Sequence, residues 1–158
     1  MIATLAAAAA AVFAGYVGYR AHLRDLETDR LRYTRGVHSW LAWDTTVEHG
    51  GTRLVIMNSG EAPIYDVMIT VALDSREETA PHAGQTWLML PPGHFVTQKD
   101  GHGWTFPEPA DPQQFRPYTR SAKFAVVAME FTDAVGTRWR RGRSGTLESR
   151  RADNPPRR

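Results

Sequence analysis

Residues 65–73 read YDVMITVAL, and their alternation decides the fold. Tyr65, Val67, Ile69, Val71 and Leu73 occupy one parity; Asp66, Met68, Thr70 and Ala72 occupy the other. Successive side chains of a strand point to opposite faces, so a period of two over nine residues predicts a β-strand with one buried face. A helix would scatter the same apolar residues around its circumference. A strand with one apolar face needs partners, and the flanking sequence supplies them.

Upstream, the aromatic and β-branched stretch from Trp40 to Val47, the turn signal His49-Gly50-Gly51 and the run Thr52 to Met57 read as a hairpin. Asn58 to Pro63 then breaks the chain. Downstream, Asp74 to Gly84 is polar and loop-like, and Gln85 to Leu90 is a short strand stopped by Pro91-Pro92-Gly93. Residues 94–117 are dense in Gly and Pro, and only Phe95-Val96 and Trp104 to Phe106 are predicted there as short edge strands. Lys123 to Thr132 is near-continuously apolar, the pattern of a central strand. Asp133 to Gly136 turns the chain, Thr137 to Arg141 returns with Trp139 inward, and Thr146 to Glu148 forms a last short strand. About seven strands with turn chemistry between them, and no helical period after residue 43, predict a mainly β fold. The expected architecture is an immunoglobulin-like antiparallel β-sandwich over residues 37–148.

The stretches VIMNSGEAPIYDVMITV (55–71), LMLPPG (88–93) and MEFTDAVGTRWRRGRSGTL (129–147) add a resemblance. The Asn-x-Gly turn, paired strands and Leu-x-Pro-Gly layout resemble immunoglobulin-like prokaryotic surface and adhesion-type domains. The combination is similar to a group of small actinobacterial proteins that place a helix, often after a membrane span, before such a sandwich. The resemblance implies turns shaped by Asn58 with Gly60, by Pro92-Gly93 and by Asp133 with Gly136. It lends no catalytic residues. The long 94–117 segment departs from the pattern and leaves the strand count on that edge open.

The N-terminus has a different character. Ile2 to Tyr19 carries no charge, about 18 residues, the lower end of what spans a bilayer as a helix. A transmembrane anchor is expected at 1–19; a cleaved signal peptide, which would want a basic n-region, and a soluble helix built on Ala6 to Ala11 are the alternatives. Arg20, Arg24, Arg30, Arg32 and Arg35 follow, so the positive-inside rule puts the sandwich on the cytoplasmic side of the cell membrane. Val12, Tyr16, Tyr19, Leu23, Leu26, Arg30, Tyr33, Val37 and Trp40 are alternately four and three apart, a heptad stripe that predicts one long helix running through a stalk at 20–36. With the small-residue spacing Ala10, Ala14 and Gly18, the stripe makes Ala10, Ala14, Gly18, Leu23 and Leu26 the candidate face of a parallel, coiled-coil homodimer.

Charge is unevenly distributed. Residues 1–136 hold 11 Lys and Arg against 15 Asp and Glu, a net of −4, while residues 137–158 hold 8 Arg against Glu148 and Asp153, a net of +6. No basic face extends over the whole fold, so a nucleic-acid partner is not indicated. Arg138, Arg140, Arg141, Arg143, Arg150 and Arg151 are instead the candidate site for an acidic protein partner or anionic lipid headgroups. Strand parity sets Arg138 and Arg140 opposite Trp139 and hence outward. The tail, 149–158, is expected to be a basic disordered segment.

Chemistry finds little support. The chain has no Cys, which removes disulfides, thiolate metal sites and cysteine nucleophiles. Its six His lack metal-ligand spacing, and Gly142-Arg143-Ser144-Gly145 is not followed by the helix that a nucleophile elbow requires. No catalytic residue, metal or cofactor is assigned, and an enzyme is not expected. The expected function is a membrane-anchored, non-catalytic interaction module that binds an unknown partner through a sheet edge near 94–117 or through its Arg-rich end. The alternative is an exported, membrane-tethered adhesion or envelope domain.

Overall fold

The structure, a computed structural model, describes residues 16–21, 34–46, 50–74, 76–82, 85–100, 103–121 and 123–150. The described chain is mainly strand: β1 (Val37–Asp44), β2 (Thr52–Asn58), β3 (Ile64–Leu73), β4 (Arg76–Ala80), β5 (Trp87–Leu90) and β6 (Gly93–Asp100). There follow β7 (Gly103–Trp104), β8 (Glu108–Pro109), a 3₁₀ turn at Pro112–Gln114, β9 (Phe115–Pro117), β10 (Phe124–Thr132), β11 (Arg138–Gly142) and β12 (Leu147–Arg150).

These strands form two antiparallel sheets. One has the order β7-β6-β2-β1-β9, with β8 also on β6; the other has the order β12-β11-β10-β3-β4, with β5 also on β3. Leu41, Leu54, Ile56 and Phe95 of the first sheet meet Val67, Ile69, Val71, Met129, Phe131 and Trp139 of the second in one core. Complete burial of such side chains stabilises by about 1.5–3 kcal/mol each. The alternates Met68 and Thr70 of β3 lie half-buried on the other face, as the period of two requires.

The alternation in β3 has one interruption. Ile64 and Val67 are both buried, three residues apart, because Asp66 adopts φ 50° and bulges the strand. Tyr65 therefore falls on the outer face rather than in line with Val67, and the Thr132 hydroxyl hydrogen-bonds the Asp66 carboxylate at 3.2 Å. Pairing with β10 shifts register there, between Glu130 and Thr132, and again between Val126 and Ala128.

The segment read from sequence as mostly loop is a strap. β8 pairs with Phe95 and Val96 at one edge of the first sheet, and β9 pairs with Ala42, Trp43 and Asp44 at the other. Between them the chain crosses the sheet's outer face, where Phe115 packs on Ala42 and Val55, flanked by Trp40, Val96 and Ala110. Asp111 caps the 3₁₀ turn by accepting from the Gln113 N–H at 3.0 Å.

The expected N-terminal architecture is corrected. Among the described residues no helix is long and apolar enough to cross a membrane. Helical backbone is present at 16–21 and at 34–35. The long helix also ends before its predicted limit. Gly36 turns the chain, and Val37 and Trp40, placed on the heptad stripe by their spacing, belong to strand β1, where Val37 is 1% exposed in the core. β-Branched and aromatic residues favour the pleated surface. The structure therefore gives no support for the transmembrane and coiled-coil assignments or for a cell-membrane location. Residues 1–15 and 22–33 of the expected anchor and stalk lie outside the described residues.

Asp133 holds the β10–β11 turn. It is 8% exposed, and one carboxylate oxygen accepts from the Val135 and Thr137 N–H groups at 3.1 and 2.8 Å. The other accepts from the buried Trp139 indole N–H at 2.8 Å. Asp133→Ala strands that indole donor and frees the turn, so we expect unfolding in denaturant to show a loss of about 3 kcal/mol. Val135→Ala in the same turn, at a residue 73% exposed, should cost no more than about 0.5 kcal/mol. Equal losses for the two variants would refute this account of the turn.

Candidate interaction edge

The Arg-rich end of the sequence folds into the β11–β12 hairpin, which divides its arginines among different tasks. The Gly142 N–H donates to the Thr146 carbonyl at 3.0 Å, and Gly145, at φ +82°, makes the tight turn between them. Hydrogen-bonded and non-hydrogen-bonded pairs alternate along an antiparallel ladder. With Arg140 opposite Glu148 and Arg138 opposite Arg150, these two are the hydrogen-bonded pairs of the ladder. The backbone groups of Leu147 and Ser149 consequently point away from β11. β12 is the terminal strand of its sheet, and among the described residues no strand pairs with that outer side.

Arg138 and Arg140 are exposed on the outer face, as parity predicted. Arg140 is not a free charge: its Nε lies 3.5 Å from the Glu130 carboxylate, and Glu148 stands opposite it on the other side. Arg138 stands opposite Arg150 in the backbone register. Arg143 is exposed in the turn, where it is engaged with other groups. Arg150 closes β12, and Arg151 lies outside the described residues.

Arg141 has the opposite orientation. Two residues from Trp139, it shares the inward face, and it is half-buried at the end of the core. Its guanidinium donates to the Gly145 carbonyl at 2.8 Å and to the Thr34 and Arg35 carbonyls at 3.3 and 3.1 Å. Those carbonyls end the helical residues 34–35, where a cation is favourable. Arg141 is thus a clamp between the hairpin and the chain leading into β1, and burial lowers its pKa. The alternation along β11 that turns Arg138 and Arg140 outward turns Arg141 inward.

The other expected sites fare differently. Of the helix-dimer face, Gly18 lies in the described helical residues and is exposed; Ala10, Ala14, Leu23 and Leu26 lie outside them. The edge near 94–117 is occupied by the chain itself, since β7 and β8 both pair with the outer side of β6. Among the described residues no three His, Asp or Glu gather to hold a metal ion. The sequence alone does not mark the edge groups of Leu147 and Ser149 or the position of Glu148, because Ser149 reads there as the start of a tail.

No family model matches this chain, no curated protein matches it, and no solved structure matches it.

His38, on β1 beside the clamp, reports on Arg141. Burial lowers its pKa, the Arg141 charge lowers it further, and a hydrogen bond to the Arg35 carbonyl pulls the other way, leaving it below the ordinary 6.5. NMR titration of the full chain should find His38 below that value, and Arg141→Gln should move it upward. The sign for stability follows. As pH falls below 6.5 the unfolded chain takes up the proton first, so stability present above 6.5 declines as pH falls toward the native pKa. Denaturant midpoints at pH 7.5 and 5.5 check this, and a His38 resonance unmoved by Arg141→Gln would refute the coupling.

Proposed function

We propose that this chain is a non-catalytic binding module that takes an extended, acid-bearing segment of a partner onto the outer side of β12. Strand addition at a sheet edge draws affinity from main-chain hydrogen bonds and specificity from the side chains beside them. The observation that carries the reading is the outer side of β12, where the backbone groups of Leu147 and Ser149 face away from β11 and, among the described residues, no strand pairs with them. The edge near 94–117, by contrast, is filled by β7 and β8. Arg138, exposed on the neighbouring strand, supports an acidic segment, since a carboxylate placed near it is an opposite charge.

A suitable probe is a ten-residue synthetic peptide alternating Glu and Val, added to the ¹⁵N-labelled full chain at low salt. The Leu147 and Ser149 amides should shift, and the affinity should fall as salt screens the charges. Ser149→Pro removes an outward N–H and spares the ladder to β11, so it should abolish the shifts without unfolding the domain. Arg138→Glu should weaken binding about tenfold, the equivalent of about 1.4 kcal/mol. Shifts confined to other parts of the molecule, or undiminished in Ser149→Pro, would overturn the reading.

A further inference from the structure

The strand-addition reading can be carried further, to the identity of the added strand; the inference rests on that reading. We propose that the segment paired with β12 is β12 of a second copy of this chain, antiparallel, about a two-fold axis through Ser149. Such an interface is isologous, the same patch on both copies.

Backbone parity and charge choose the register together. The outward groups belong to Leu147 and Ser149, so an antiparallel copy must set odd residues against odd residues. Two such registers centre on the middle of the strand, on Glu148 and on Ser149. The first sets Glu148 against Glu148 of the second copy, a like-charge contact. The second sets Ser149 against Ser149 and Glu148 against Arg150 of the second copy, and symmetry makes that complementary contact twice. Opposite charges across a strand pair stabilise and like charges destabilise, so the Ser149 register is selected.

The same register completes a pattern that one copy leaves unfinished. Within the chain, Glu130, Arg140 and Glu148 alternate in sign across three strands, while Arg138 and Arg150 face each other. In the dimer, Arg138 and Arg150 of one copy are followed by Glu148, Arg140 and Glu130 of the other. Each Arg pair gains an acid, and each Glu148 gains a second base. The two copies then form one continuous antiparallel sheet.

The test uses sedimentation of the full chain over a concentration series. The chain should show a monomer–dimer equilibrium, weakened about tenfold or more by Glu148→Arg and by Arg150→Glu, since each replaces two complementary contacts with two repulsive ones. Mixing the two variants restores opposite charges at both contacts, so the mixture should associate as well as the unaltered chain; that recovery also shows that both variants fold. The absence of cysteine allows a second readout. A hydrogen-bonded antiparallel pair has Cα atoms about 5.5 Å apart, within disulfide range. Ser149→Cys should therefore cross-link on oxidation much faster than Ser144→Cys in the exposed turn, and adding Glu148→Arg should slow it.

A chain that stays monomeric, single variants that associate as the unaltered chain does, or a mixture that fails to recover would each overturn the proposal. A monomer whose Leu147 and Ser149 amides still respond to the Glu-Val peptide would retain strand addition and discard the second copy. A monomer indifferent to the peptide would discard both.

Discussion

Across the middle of the second sheet, Val71 lies opposite Val126 and Ile69 opposite Met129, and the other strands of that sheet hang on this pairing. β4 and β5 attach only to β3, and β12 reaches the sheet only through β11, which itself pairs with β10. Val67, Ile69, Val71, Met129 and Phe131 are at most 1% exposed, so the two strands supply the second sheet's deepest contribution to the core. A slip of one residue would turn their apolar faces to water, so burial fixes the register. The bulge at Asp66 is compatible with that constraint because the residue on it is polar and meets Thr132 on the outer face. Its left-handed backbone is tolerated at Asp, whose short polar side chain is enriched in that region.

How legible each strand is in the sequence depends on which faces it buries. β3 and β10 are plain because one or both faces are apolar over nine or ten residues. β4, Arg-Glu-Glu-Thr-Ala, is an edge strand buried only at Ala80, so no alternation betrays it and it reads as a loop. β6 is hidden for another reason: one of its core-facing residues is Thr97, 2% exposed, whose hydroxyl donates to the Thr105 carbonyl at 2.6 Å. A buried polar residue satisfied by a partner eight positions away looks, in one dimension, like a break in the apolar pattern. The strap at 108–117 fails on the same ground. Its apolar anchors, Ala110 and Phe115, cover the outer face of a sheet, and nothing local announces that this face needs covering. At the N-terminus the failure ran the other way. The heptad spacing runs on through Gly36, but Val37 and Trp40 suit strand as well as helix, and in β1 Val37 enters the core while Trp40 packs with the outer-face cluster.

Composition hides how the charges are used in a comparable way. A net of +6 over residues 137–158 suggests one basic surface, yet folding assigns those charges separately. Arg140 is neutralised across the ladder by Glu130, and Arg141 is consumed at the Thr34 and Arg35 carbonyls. Asp44 offers the same lesson with the sign reversed. Burial opposes its charge, but hydrogen bonds from the Thr46 hydroxyl and N–H and from Arg53 outweigh that cost and keep its pKa low. Such groups organise the two ends of the sandwich, and their charge is largely spent there. What remains exposed on β11 is local: Arg138 at its start.

Sheet edges expose unpaired backbone groups, and folds usually blunt them. Here the outer side of β6 is closed by β7 and β8, and the C-terminal part of β1 by β9, which ends in Pro117. The strap that links β8 to β9 therefore blunts two edges of one sheet with a single excursion of the chain. The second sheet has no corresponding device beyond β12 among the described residues. β12 instead carries Glu148 and Arg150 in alternation with the residues whose backbone faces outward. Charges on an edge strand ordinarily repel a second strand, but alternating charges of opposite sign repel one register and accept another. One sheet of this fold is thus guarded by the strap, whereas among the described residues no strand pairs with the outer side of β12, where Glu148 stands beside Arg140 in the register.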